Sequence, residues 1–149
     1  MNERPSARLI LLDRQDRLFL FKVHTPAIYD PADPFHGPFW VMIGGLVDPG
    51  EDYGEAAVRE AREETGLTVK PIQLVDVFYR AAGSYKGTHA LIAVVYLCER
   101  IDGTLTLSHE HLDARYWPIE AVTAWHANHR EYAVAAHALW KRLNAQHKT

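Results

Sequence analysis

The sequence predicts an α+β domain on three observations. Apolar runs rich in β-branched and aromatic side chains recur at Ala7–Leu12, Arg17–Val23, Leu67–Ala82 and Thr88–Cys98. Two stretches carry helical signals, one between Asp52 and Gly66 and one from Glu131 to Asn144. Glycine, proline and aspartate mark the joints, as at Asp48-Pro49-Gly50 and Asp102-Gly103. With 149 residues, 48% of them apolar, the chain is the size of one ordinary domain, residues 1–149, and can bury a substantial core.

Taken in order, Ala7 to Leu12 ends at the polar stretch Asp13 to Asp16, and Arg17 to Val23 follows it, so the two read as a hairpin. From His24 to Pro38 four prolines (Pro26, Pro31, Pro34, Pro38) and Gly37 leave no continuous period. A loop this long in a small domain is more often functional than incidental. Phe39 to Ile43 is a short strand that Gly44-Gly45 breaks. Asp52 and Glu55, three apart, have capping-box spacing, so a helix begins near Tyr53 and Gly66 is its left-handed stop. Ala57, Val58 and Ala61 give it a thin apolar stripe.

Leu67–Ala82 and Thr88–Cys98, joined across Gly83 to Gly87, are expected to be the longest and central strands. Thr104–Leu107 and Arg115–Trp117 read as short strands, and Ile119–Trp125 as a short helix with Pro118 at its start. In the last helix Tyr132, Ala135, Ala136, Leu139, Trp140 and Leu143 fall on one stripe at i, i+3, i+4, i+7, i+8 and i+11.

Composition removes several function classes. The formal charge of -3 offers no polycationic surface, so binding of duplex nucleic acid is not expected, whereas a small phosphorylated ligand is compatible with it. The single cysteine, Cys98, excludes an intrachain disulfide and fits a core position in a reducing compartment. No apolar run is long enough to span a membrane, and the first residues lack a signal-peptide pattern, so a cytoplasmic location is expected. An exposed apolar edge on the first hairpin or the last helix would indicate a homodimer.

The chemistry concentrates in Gly45–Leu67. Glu60, Glu63 and Glu64 stand at i, i+3 and i+4 and share one helix face. Like charges at this spacing destabilise a helix by roughly 0.2 to 0.5 kcal/mol per pair, so the cluster calls for a counter-charge. A hard divalent cation fits carboxylate oxygens, and the absence of cysteine and histidine from the stretch argues against zinc.

This stretch resembles the signature of the Nudix hydrolases: glycine, five residues, glutamate, seven residues, Arg-Glu, an aliphatic position, one residue, Glu-Glu, one residue, glycine, an aliphatic position. Here these are Gly45, Glu51, Arg59, Glu60, Ala61, Glu63, Glu64, Gly66 and Leu67, with Ala61 smaller than the usual aliphatic. The resemblance implies a mixed β-sheet sandwiched between helices, a three-layer α/β/α arrangement. It further implies magnesium-dependent hydrolysis of a nucleoside diphosphate linked to another group X, with manganese as a substitute ion. By the same resemblance Glu60, Glu63 and Glu64 are metal ligands, joined by the Gly45 carbonyl. Glu51 stands near the metals or, alternatively, bonds the amides at the helix start. Arg59 orients a carboxylate rather than touching substrate.

In SHEHLDARYWPIE, Glu110 matches a position where many family members carry a further ligand or general base, so Glu64 or Glu110 is expected to activate water. Substrate selection falls to loops, where Tyr29, Phe35, Tyr85 and Lys86 are candidates for stacking a base and meeting a phosphate. ADP-ribose-cleaving relatives often carry a proline around the position of Ala82, which this chain lacks, and Tyr85 lies near a tyrosine that marks relatives cutting dinucleoside polyphosphates. Two other functions share these features: a regulatory domain that binds a nucleotide without turnover, and an RNA 5′-end pyrophosphohydrolase, which would want a basic groove.

Overall fold

The computed structural model of the chain describes residues 3–23, 39–80, 90–107, 111–121 and 127–147. In order these form β1 (Glu3–Leu11), β2 (Leu18–Val23), β3 (Phe39–Val41), β4 (Ile43–Leu46), α1 (Tyr53–Thr65), β5 (Leu67–Arg80), β6 (Ala90–Gly103), β7 (His111–Trp117), a 3₁₀ turn (Ile119–Ala121) and α2 (Ala127–His147). One sheet runs β4-β1-β6-β5, with β1 and β6 parallel and the other pairs antiparallel. A second, antiparallel sheet runs β3-β2-β7.

The mixed sheet lies between the two helices because β1 is buried on both faces. Ala7, Leu9 and Leu11 pack with Ala56, Ala57 and Ala61 of α1, while Ile10 joins Val95, Leu97 and Tyr132, Ala133 and Ala136 of α2. Alternate residues of a strand point to opposite faces, so an unbroken apolar run signals a strand covered twice. The expected α+β sandwich is therefore the one found. Ala133 and Ala136 of α2 are buried, and Ala135 of the expected stripe is exposed. His137 of the same helix reaches the β1–β2 turn, its Nε2 3.1 Å from Asp16 Oδ2.

Five expectations change. The first two strands form no hairpin: a single bridge, Leu12 to Leu18, joins them before each enters a different sheet. The turn between them is nonetheless tight, since the Asp13 carboxylate accepts from the Gln15 and Arg17 amides and from Arg17 Nε. Gly44 and Gly45 do not break a strand but lie inside β4, and the expected strand Phe39–Ile43 divides between the two sheets as β3 and the start of β4. β5 and β6 are the longest strands at 14 residues each, yet β5 is an edge, and its three register shifts against β6 fit a strand twisted away from further pairing. Thr104–Leu107 is irregular, and the helix expected over Ile119–Trp125 is the 3₁₀ turn Ile119–Ala121, the remainder lying outside the described residues. The loop at His24–Pro38 and the hairpin tip at Gly83–Gly87 also lie outside them. Exposed apolar side chains gather on β5 and β6 (Leu74, Val77, Tyr79, Ile92), whereas α2 contributes Val134. Among the described residues no helix is long and apolar enough to cross a membrane.

α1 forms where local chemistry demands it. Asp52 accepts from the Glu55 amide at 2.7 Å while the Glu55 carboxylate accepts from the Asp52 amide, the reciprocal box that satisfies two orphan donors. At the other end Gly66 adopts φ 74° and donates to the Arg62 carbonyl. Thr65, fully buried, donates its hydroxyl to the Ala61 carbonyl and accepts from the Leu67 amide, closing the turn into β5. A Cβ on Gly66 would lie 2.7 Å from the Thr104 carbonyl. Gly66→Ala is therefore expected to lose about 1 to 3 kcal/mol in urea unfolding, from the left-handed backbone and the collision together. A loss below about 0.5 kcal/mol would contradict this account of the cap.

Candidate active site

The signature residues meet where α1 crosses the end of β4. Two backbone facts make the crossing close. A Cβ on Gly45 would lie 2.6 Å from Glu60 Cδ, so the Glu60 carboxylate occupies space that only glycine leaves open. A Cβ on Gly44 would lie 2.6 Å from Arg8 Cδ and 3.0 Å from Arg8 Cα, so β4 also sits tightly on β1. The pair of glycines is a seat for the helix rather than a strand breaker.

Arg59 organises the acidic side chains over this seat. Its Nε and Nη2 form a fork onto both oxygens of Glu51, at 2.8 and 3.0 Å. Nη1 donates to Glu60 Oε1 at 3.0 Å and to Glu63 Oε2 at 3.1 Å, and Nη2 also reaches the Leu46 carbonyl at 2.9 Å. Glu51 is further fixed by the Asp48 amide, 3.0 Å from its Oε1. Arg59, with the Asp48 amide behind it, holds the Glu51 carboxyl below its usual range, and the fork onto Glu51 holds Arg59 above its own. Glu51 thus stands beside the acidic cluster and accepts from an amide of the turn, not from one at the helix start. The Gly45 carbonyl accepts from the hydroxyl of Ser6 on β1, at 3.2 Å.

Glu60 and Glu64, one helical turn apart, behave as a pair. Burial, then a hydrogen bond and charge repulsion from Glu60, push the Glu64 carboxyl up to about 9, against smaller opposing effects of Arg8 and the Gly44 backbone. Glu63, by contrast, is largely exposed on the same side. As arranged, no three histidine, cysteine, aspartate or glutamate side chains among the described residues close around one metal position. The reason is visible in the contacts: Arg59 draws Glu60 and Glu63 toward itself, and Glu64 turns to Glu60. The donor set still fits a hard divalent ion, because it is all oxygen, partly buried, and holds a carboxyl pair that only a proton or a cation can relieve.

Of the residues the sequence nominated, Gly45, Glu51, Arg59, Glu60, Glu63 and Glu64 come together here. Glu110, Tyr29, Phe35, Tyr85 and Lys86 lie outside the described residues. Ser6 was not nominated. Its only sequence signal is a polar residue at the head of an apolar strand, and its partner stands 39 positions away.

The fold and this arrangement define the class. The profile of the NUDIX domain matches residues 2–137, and the chain belongs to that family of hydrolases. It is 30% identical over 131 residues to an ADP-ribose pyrophosphatase of Methanocaldococcus jannaschii, covering 88% of this chain and 71% of that one. It is 31% identical over 86 residues to an asymmetrical bis(5'-nucleosyl)-tetraphosphatase of Caenorhabditis elegans, covering 54% and 59%. Among solved structures, a MutT protein from Methanosarcina mazei superposes with a TM-score of 0.71 over 94% of this chain and 96% of its own, at 20% identity, which supports the fold.

Two outcomes follow for these residues. Arg59→Lys keeps the charge but not the planar fork, so it is expected to lower stability by about 1 to 3 kcal/mol and to reduce turnover with it, read by urea unfolding and a hydrolysis assay. Stability and turnover both at wild-type level would refute the bracing role. The second concerns pH. Glu64 keeps its proton in the folded chain up to about 9, against an ordinary value of 4.5. Between those values the folded state binds more protons than the unfolded state, so metal-free stability falls as pH rises. Unfolding in EDTA at several pH values should show this slope in the wild type and a flatter one in Glu64→Gln; equal slopes would overturn the burial of Glu64.

Proposed function

We propose that the chain hydrolyses a pyrophosphate bond in a small nucleotide, a nucleoside diphosphate linked to a further group X, with magnesium as its natural ion and manganese as a substitute. The observation that carries this is the Glu60–Glu64 carboxyl pair seated on Gly44-Gly45 with Glu63 exposed beside it. Glu60, Glu63 and Glu64 would hold the ion, with the Gly45 carbonyl among its neighbours. Glu51 stands next to them as the brace for Arg59. The chemistry supplied by the bound ion is neutralisation of phosphate oxygens and acidification of a bound water.

The residues of this chain do the rest. The Arg59 fork fixes Glu51, and its Nη1 keeps Glu60 and Glu63 beside the site, so these carboxylates need only turn locally to meet the ion. Glu64, once the ion's charge has displaced its own proton, or Glu110 takes the proton of the attacking water. The pyrophosphatase and tetraphosphatase names of the relatives support a substrate with a phosphoanhydride between two groups. The proposal includes cytoplasmic action as a single domain, with no duplex nucleic acid as substrate, and a homodimer as an assembly to be checked by light scattering.

Glu63→Gln and Glu64→Gln should each leave the fold intact and lower turnover by at least ~100-fold. The assay is a panel of nucleoside triphosphates, nucleotide sugars and dinucleoside polyphosphates with magnesium or manganese, the products resolved by ion-exchange chromatography. Wild-type turnover in both variants would sink the assignment. Failure of the wild type on the whole panel would favour a nucleotide-binding module instead.

A further inference from the structure

Among the described residues the fully buried polar side chains are Ser6 and Thr65. Thr65 is explained by the end of α1, where its hydroxyl joins the Ala61 carbonyl to the Leu67 amide. Ser6 has no such local use. A buried hydroxyl costs free energy that its one hydrogen bond roughly returns, so alanine would serve β1 as well. The bond instead leaves the strand and reaches the Gly45 carbonyl on β4 at 3.2 Å.

That carbonyl belongs to a special stretch. Each residue from Gly44 to Leu46 is touched by a signature side chain. The Gly44 backbone bonds the Glu64 carboxyl, Glu60 fills the space beside Gly45, and Arg59 takes the Leu46 carbonyl. The helix therefore bears on these peptides from one side, and Ser6 holds them from β1. β4 is an edge strand of four residues held on one side only, by its ladder with β1, and Ser6 adds a side-chain bond to that ladder at the Gly45 carbonyl. We propose that Ser6 is a positioning residue for the metal site: through the Gly45 peptide it sets the seat on which Glu60 and Glu64 lie. This rests on the metal-site reading above. Ser6 touches neither ion nor substrate; it acts by holding the peptide plane, as partners behind metal ligands do elsewhere.

The test is manganese binding to the substrate-free protein, with free Mn2+ followed by electron paramagnetic resonance. Ser6→Ala and Ser6→Val remove the hydroxyl, whereas Ser6→Thr keeps it in the shape of valine. Ser6→Ala and Ser6→Val should weaken Mn2+ binding by about 10-fold or more, with Ser6→Thr staying within about threefold of the wild type. Melting in EDTA should shift equally for the threonine and valine variants, since they share a shape. If alanine and valine bind Mn2+ like the wild type, or threonine loses as much as valine, the positioning role is overturned. Glu64→Gln measured alongside separates the two readings. Weakened binding there with unchanged Ser6 variants removes Ser6 alone, whereas unchanged binding there removes the metal site and this inference with it.

Discussion

The site depends on one guanidinium. Arg59 reaches Glu51 in the turn, Glu60 and Glu63 on its own helix, and the Leu46 carbonyl at the end of β4. Those contacts tie the turn, α1 and the end of β4 together through a single side chain. A lysine has three donors on one atom and could not span them; the flat fork with five donors can. Exposed ion pairs are individually worth little, but Arg59 is three-quarters buried, and its partners are carboxylates that would otherwise repel one another. The same cation therefore relieves the crowding it organises.

Beneath Arg59 the position of the seat follows from the core. β4 is held by β1, pairing from Ser6 with Leu46 to Leu9 with Ile43. β1 in turn is fixed by apolar packing on both faces, toward α1 through Leu9 and Leu11 and toward α2 through Ile10. A buried strand of this kind moves little, because close-packed interiors transmit rather than absorb displacement. Gly44 lets β4 lie close on β1, Gly45 sets how near α1 can come, and the capping box and Gly66 set where α1 starts and stops. Each carboxylate is thus placed by a chain of steric limits that runs back to the apolar run of the first strand.

How much of this the sequence disclosed depended on the range of the interaction involved. α1 was legible to the residue because Asp52, Glu55 and Gly66 act within one helical turn of the ends they define. Strand partners were not, because periodicity tells which residues alternate and not which strand lies alongside. Hence β1 and β2, adjacent in sequence and joined by a tight turn at Asp13–Arg17, read as a hairpin although they belong to different sheets. Gly44-Gly45 read as a break because the reason for the glycines, the approach of Glu60 and Arg8, is tertiary. The acidic cluster was legible through its spacing, while its brace on Glu51 was legible only in part. Ser6 was hidden, since nothing near it in sequence accounts for its hydroxyl.

The carboxyl pair also explains why the seat is built so firmly. Placing Glu60 and Glu64 together in a partly buried position works against folding, and without a cation the conflict is settled by a proton held on Glu64. A protonated carboxyl is a poor metal ligand, so protons and the proposed ion compete for the same oxygens, and metal affinity should weaken as the solution becomes more acidic. A loose scaffold would resolve the repulsion differently, by letting the carboxylates swing apart into solvent. Here Arg59 holds Glu60, the Gly44 backbone holds Glu64, and the glycine seat and buried strand lie behind both. The repulsion is therefore kept in the folded chain, where the proposed divalent ion would relieve it.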